Sequence, residues 1–239
     1  MRVVRTIVGV VGELAITAGV LLLLFVVWEI GIVGVTTNRA QAATVEGLEQ
    51  QFRQRPGPSP APAPTDNPST TTPTTAPTTP SLSSSTDAFA ILRIPRLGSG
   101  WAKPVYEGVG SDVLAKGIGH YPDTQLPGQV GNVGLAGHRA GHGNPLIDID
   151  TIRPGDPIVV ETAIGYTVYK AVRSEIVPPT DVAVLAPVPN QPGATPSQAW
   201  LTLTSCEPKY GSTNRFIVFA QLDRTVSRDQ GPPPEIGGS

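Results

Sequence analysis

Cysteine, histidine, methionine, aromatic and charged residues are all scarce in this sequence. Of 239 residues, one is cysteine, three are histidine and one is methionine, while Phe, Trp and Tyr together make up 5%. A single cysteine excludes an intrachain disulfide and any zinc site built on a Cys-x-x-Cys pair. Charged residues amount to 15% and the net charge is −2, so no basic excess exists to meet a nucleic-acid backbone. No nucleic-acid partner, metal or cofactor is expected.

Proline and glycine are abundant instead, at 26 residues each, and they are unevenly spread. Residues 1–35 are apolar. Arg2 and Arg5 precede a run in which Leu14–Trp28 carries no charge, bracketed by Glu13 and Glu29. As a helix, Ile7–Val35 would be about 43 Å long, against a hydrocarbon core of about 30 Å. The expectation is an uncleaved transmembrane signal anchor, tilted so that both glutamates reach the interfaces. The rival is a signal peptide cleaved after "AQA" at Ala40–Ala42, which lies far beyond the apolar run. The amino terminus is placed in the cytoplasm and everything after the helix outside the cell.

Residues 36–87 read as a juxtamembrane segment and linker. "NRAQAATVEGLEQQFRQR" is weakly patterned for a short helix over 38–55. "PGPSPAPAPTDNPSTTTPTTAPTTP" at 56–80 has nothing to bury and reads as a disordered, extended spacer. Outside the cell its threonines are candidates for O-glycosylation.

Residues 88–224 are the one stretch patterned to fold, and their length suits one domain. The apolar runs are short and alternate. "AFAILRIPRL" and "NVGLAGH" come first; "PIVVETA" and "YTVYKAV" flank a hairpin turn at Ile164-Gly165; "AWLTLTSC" and "RFIVFAQL" close the series. Pro/Gly-rich loops separate them, and one short helix fits near Asn144–Ile149. The fold class is all-β, sandwich or barrel, of seven or eight strands. Residues 225–239, "TVSRDQGPPPEIGGS", read as a disordered tail.

Chemistry has few candidates. Cys206 ends the alternating run "AWLTLTSC" just before "EPKYG" turns the chain, which places its side chain at a sheet rim. An exported protein that retains a free thiol has a use for it. A nucleophilic thiol needs a base or cation beside it. His138 ends "NVGLAGH" and is the best-placed partner. His120, in "GHYP", is either structural or lines the site, and His142 reads as a solvated loop residue. Arg215 opens the strand after the cysteine's loop. Its guanidinium suits a developing oxyanion if residues 207–214 fold back as a hairpin. Asp148, Asp150 and Asp156 are scattered and read as solvated.

Taken together, "TLTSC" ending at Cys206, the following Arg215 in "RFIVFAQL", and "GHYPDTQLPGQVGNVGLAGHR" from Gly119 to Arg139 resemble the signature segments of sortases. Sortases are membrane-anchored cysteine transpeptidases of Gram-positive bacteria. "ILRIPRLG" resembles their first strand. "GHYP" and the proline after Cys206-Glu207 look most like class E sortases of high-GC actinobacteria. The resemblance covers Phe89–Leu222.

It implies a closed barrel of about eight strands with short helices. It also implies that Cys206 is the nucleophile, His138 the general acid and then base, and Arg215 the stabiliser of substrate and oxyanion. Tyr121 resembles a class E residue facing the second position of the substrate. Thr204, Ser205 and His120 fall into the substrate-binding set, with Ser205 standing where threonine often precedes the cysteine.

The implied reaction cleaves a C-terminal sorting signal, LPxTG- or LAxTG-like, between Thr and Gly. The implied partners are secreted proteins carrying that signal and an amine acceptor such as a peptidoglycan precursor. Two rivals remain. An L,D-transpeptidase has a glycine before its cysteine, where this chain has Ser205. A non-catalytic wall-binding module would need no thiol.

Overall fold

The structure is a computed structural model and describes residues 2–27, 33–54 and 88–237. The Pro/Thr-rich spacer predicted at 56–80 lies outside the described residues, as do Trp28 and Glu29.

Two helices come first. In α1 (Arg2–Val27), Arg5–Phe25 has a mean hydropathy of 2.4 and is long and apolar enough to cross a membrane. Helix α2 (Val33–Gln54) is longer than the short juxtamembrane helix expected. Its Val45, Leu48 and Phe52 recur at helical spacing and are buried.

The strands are β1 (Ala90–Arg93), β2 (Ala102–Glu107), β3 (Ile118–His120), β4 (Gly131–Ala136), β5 (Pro157–Thr162), β6 (Gly165–Val177), β7 (Ala199–Glu207) and β8 (Asn214–Ser227). A one-turn helix, α3 (Ser111–Leu114), precedes β3. Around the closed barrel the order is β1-β2-β3-β4-β7-β8-β6-β5. The pairs β2–β3 and β4–β7 are parallel and the other six antiparallel. The eight-stranded barrel matches the expectation. The predicted hairpin is β5–β6, while the predicted helix near 144–149 is only a 3-10 turn at Ile149–Thr151.

Alternation along each strand fills the barrel. Leu92, Val133, Leu135, Val160, Leu201, Leu203, Val218 and Ala220 all point into one core. Tyr169 joins them, its phenolic oxygen accepting the Gly128 N–H at 2.8 Å. The other face of β1 is not left to solvent. Ile91 packs against Val45, Leu48 and Phe52 of α2. At about 25 cal/mol per Å² of apolar surface, burying three large side chains is enough to dock this helix on the barrel. Arg93 adds ion pairs to Glu49 of α2 and, at 2.9 Å, to Glu161 of β5.

The carboxy-terminal tail is a correction. Where residues 225–239 were expected to be disordered, β8 continues to Ser227 and the chain packs against the barrel as far as Ile236. Ile236 packs with Val159, Tyr166 and Val168 on the outside of the barrel. Glu235 meets Arg224 at 2.6 Å. Arg228 reaches Glu161 at 3.2 Å and lies 5.1 Å from the Phe52 ring centroid. The tail has no periodicity to betray this. It is held by a few long side chains and one isoleucine.

Candidate active site

The site forms where three neighbouring strands end. In β7, Leu201 and Leu203 face the core, so Thr202, Thr204 and Cys206 share the opposite face. Strand β7 lies between β4 and β8.

On the β8 side, Cys206 is paired directly with Arg215. Opposed residues in antiparallel strands have Cβ atoms about 4.5–5.5 Å apart on one face. The hairpin inferred for residues 207–214 is therefore present. The Arg215 guanidinium folds over its own turn, donating to the carbonyls of Ser212 (3.0 Å) and Asn214 (2.9 Å).

On the β4 side, the parallel register runs Gly134↔Thr202, Leu135↔Leu203 and Ala136↔Thr204. The ladder continues past the strand, because the Gly137 N–H donates to Thr204 O at 3.1 Å. Two residues beyond Ala136 and Thr204 lie His138 and Cys206, which the same register, extended past its last pair, would set side by side. Ser205 is buried and its hydroxyl donates to Gly137 O at 2.8 Å. Cys206 is thus paired with Arg215 on one flank, and the β4–β7 register, extended two residues past its last pair, leads to His138 on the other. Both Cys206 and His138 are half-buried.

Burial, and secondarily the neighbouring His142, lower the His138 pKa from its ordinary value. His142 is exposed, as expected of a loop residue, but it is not idle. Its ring stacks on that of His138 with centroids 4.6 Å apart and planes at 26°.

The floor beside Cys206 is made by Thr204, whose hydroxyl lies 3.3 Å from the Tyr121 hydroxyl. Tyr121 is fixed by its N–H to Gly134 O at 3.0 Å. A Cβ at residue 134 would come within 3.0 Å of the Tyr121 ring and 2.9 Å of Leu185, so glycine is what lets both side chains close over this face. Val177, Val184, Ile217 and Phe219 form an apolar cluster on the same side.

His120 is different. It is buried, with Nδ1 2.9 Å from Glu107 and Nε2 3.0 Å from Gln125 O. Both ring nitrogens are spent inside the protein, which makes it a support for the loop carrying Tyr121 and not a contact surface for substrate.

Sequence reasoning passed over Arg139. It is buried at 3% exposure, donates to Cys206 O at 3.4 Å, and makes ion pairs with Glu207 and, at 2.9 Å, with Asp150. Phe216 lies beneath it, 5.5 Å away. Arg139 therefore ties the residue after His138 to both Cys206 and Glu207. The only signal was its adjacency to His138. The three aspartates expected to be solvated all have cationic partners: Lys209 for Asp148 (2.8 Å), Arg139 for Asp150, and Arg96 for Asp156 (2.7 Å). Among the described residues no group of three His, Cys, Asp or Glu could hold a metal ion.

The sortase-domain family model matches residues 92–223. The chain belongs to the sortase family. Over 236 residues it is 34% identical to sortase SrtE1 of Streptomyces coelicolor, covering 95% of this chain and 60% of that protein. It thus spans less than two thirds of that relative's length. Among solved structures it resembles sortase E of Streptomyces avermitilis, with 42% identity and a TM-score of 0.57, covering 62% of this chain and 96% of that one. It also resembles sortase E1 of Streptomyces coelicolor with a tripeptide in the active site, with 39% identity, a TM-score of 0.58 and the same coverage. These relatives make this sortase class E-like.

Proposed function

We propose that this sortase is a cysteine transpeptidase that cleaves a C-terminal sorting signal between Thr and Gly and passes the acyl group to a cell-wall amine. The observation that supports this reading is the direct pairing of Cys206 with Arg215, together with the β4–β7 register that runs toward His138 at the same end of the barrel. The Cys206 thiolate attacks the threonine carbonyl carbon, forming the S–C bond, and charge moves onto the carbonyl oxygen. Arg215 swings from its own turn to donate to that oxygen, which a permanently charged, forked donor is suited to do. The C–N bond breaks as His138, in its protonated form, gives its proton to the leaving glycine amine. Neutral His138 then takes a proton from the acceptor amine as it attacks the thioester, and the thiolate departs.

The face formed by Thr204, Tyr121 and the apolar cluster around Ile217 receives the residues before threonine. The sequence of the signal is LAxTG- or LPxTG-like, and the Tyr121–Thr204 hydroxyl pair lies where the second position would contact the enzyme. The solved relative holding a tripeptide in its active site supports a peptide ligand for this face. α1 anchors the enzyme in the cell membrane with the barrel outside. The acceptor is an amine of a peptidoglycan precursor.

The test uses the full chain in detergent micelles with fluorogenic LAxTG and LPxTG peptides and Cys206→Ala as control. Cleavage between Thr and Gly that is lost in Cys206→Ala is the expected result. Absence of cleavage from a folded enzyme supplied with an amine would overturn the reading.

A further inference from the structure

Helix α2 does more than cover Ile91. Its amino-terminal half meets the loop that follows His138. Gln41 is 2% exposed, and both ends of its amide are used. Nε2 donates to His142 O at 3.2 Å, and Oε1 accepts from Lys103 Nζ of β2 at 2.7 Å. Lys103 also donates to Asn38 at 2.8 Å. The loop sits close on the helix: a Cβ at Gly143 would come 2.8 Å from Asn38 Oδ1.

The loop needs support. Gly141 and Gly143 have positive φ, and so do His142 (φ 49°) and Asn144 (φ 51°). Non-glycine residues in that region cost free energy, and neighbouring contacts must hold them there. Within the loop, the Gly141 N–H donates to Asn144 Oδ1 at 2.6 Å and the Leu146 N–H to His138 O at 3.0 Å. At the tip of the loop Gln41 reaches in from outside, donating to the backbone of the residue whose ring stacks on His138.

We propose that Gln41 of α2 is a positioning residue for His138, acting through the His142 carbonyl and the His142–His138 ring stack. The helix that follows the membrane segment is thereby part of the catalytic apparatus. This rests on the assignment of His138 under Proposed function. A part-buried carbonyl that loses its donor gives up a hydrogen bond and, in Gln41→Glu, faces a carboxylate oxygen instead, and the loop relieves the repulsion by moving. The stacked imidazole moves with it, and a small misplacement of a proton donor is felt in turnover.

Gln41→Glu separates positioning from docking. The carboxylate keeps an acceptor for Lys103, so α2 stays seated, but it turns an oxygen toward the His142 carbonyl in place of a donor. Full chain in micelles is compared with Gln41→Glu in three measurements. The expected result is an unchanged or raised Tm, kcat lower by about ten-fold, and KM for the sorting peptide within about two-fold. Because the chain has three histidines, labelling their ring carbons gives three Cε1–H signals. Those of His138 and His142 are expected to shift in Gln41→Glu while that of His120 does not.

Unchanged kcat and unmoved His138 signals at unchanged Tm would overturn the proposal. So would a loss of kcat that merely follows a loss of Tm. The ring signals do not depend on activity. An inactive wild-type enzyme would therefore sink the functional reading while the brace was still tested.

Discussion

Cys206 and Arg215 are a directly opposed antiparallel pair, the last position but one of one arm of a hairpin facing the second position of the other. Such a pair fixes Cβ positions and leaves the long arginine side chain free to turn. Its guanidinium now caps Ser212 and Asn214, within reach of the rim it shares with the thiol. If it donates to the oxyanion, Arg215→Ala should lower kcat/KM by about 10²–10³. Arg215→Lys should recover only part of this, because a point charge does not replace a fork. Steady-state cleavage of the sorting peptide measures both. A titration of Cys206 with iodoacetamide confirms that the thiol remains accessible. Full activity in Arg215→Lys would mean that charge alone is required.

The His138–His142 stack sets a pH dependence. Burial lowers the His138 pKa below its ordinary value of 6.5, and the charge of His142 adds to this. In the folded protein His138 therefore resists protonation. The unfolded chain binds the extra proton first, so stability falls as pH drops through about 6.5 and levels off below the folded pKa. Activity has the same origin: because the leaving amine takes its proton from His138, the limb of kcat/KM that reports His138 should lie below pH 6.5. In His142→Gln the neighbouring charge is gone and that limb should move upward, toward 6.5. A limb that stays in place in His142→Gln would show that burial alone governs His138.

Arg139 couples the two arms of the site. It is nearly inaccessible, and Glu207, Asp150 and the Cys206 carbonyl all depend on it. Arg139→Ala leaves a half-buried Glu207 carboxylate without its cation and a hole above Phe216. The expected loss is about 3 kcal/mol, or roughly 10 °C in Tm for a domain of this size. Thermal unfolding with Arg139→Ala and Arg139→Lys measures it, the lysine variant falling between. A change within a degree for Arg139→Ala would reduce the cluster to a surface feature.

What the sequence reveals follows from locality. Cys206, His138 and Arg215 sit at the ends of alternating runs, and a run's end is visible in one dimension. The all-β class is visible for the same reason, whereas the closed barrel is what the resemblance to sortases implies. Gln41, Arg139 and Arg228 act across the fold, each on partners far away in the chain, and no periodicity marks such contacts. α2 was legible as a helix but not as a part of the domain. Its apolar residues are few, and the face they cover, around Ile91, looks like the solvent side of an ordinary half-buried strand. His120 misleads in the opposite way: it lies in a recognisable "GHYP" segment, yet Glu107 and Gln125 occupy it from within.

Arg228 offers the sharpest test that the tail belongs to the fold. Its guanidinium hydrogen-bonds to Glu161 and to Thr162 O, and it stands 5.1 Å from the ring centroids of both Phe52 and Tyr166. Through Phe52 it holds the end of α2 against the barrel; through Glu161 it shares a buried carboxylate with Arg93. In Arg228→Ala, Arg93 still neutralises Glu161, so the loss is two cation–π contacts and the hydrogen bonds to Glu161, Thr162 O and the Tyr166 hydroxyl, not an unpaired charge. The expected cost is about 1–3 kcal/mol. The end of α2 should open before the barrel does. Hydrogen exchange would then show faster amides in Gln50–Gln54 with β4 and β7 unchanged. Equal acceleration in all three segments would mean that Arg228 stabilises the barrel as a whole, and no difference would mean that the tail rests on the domain without holding it.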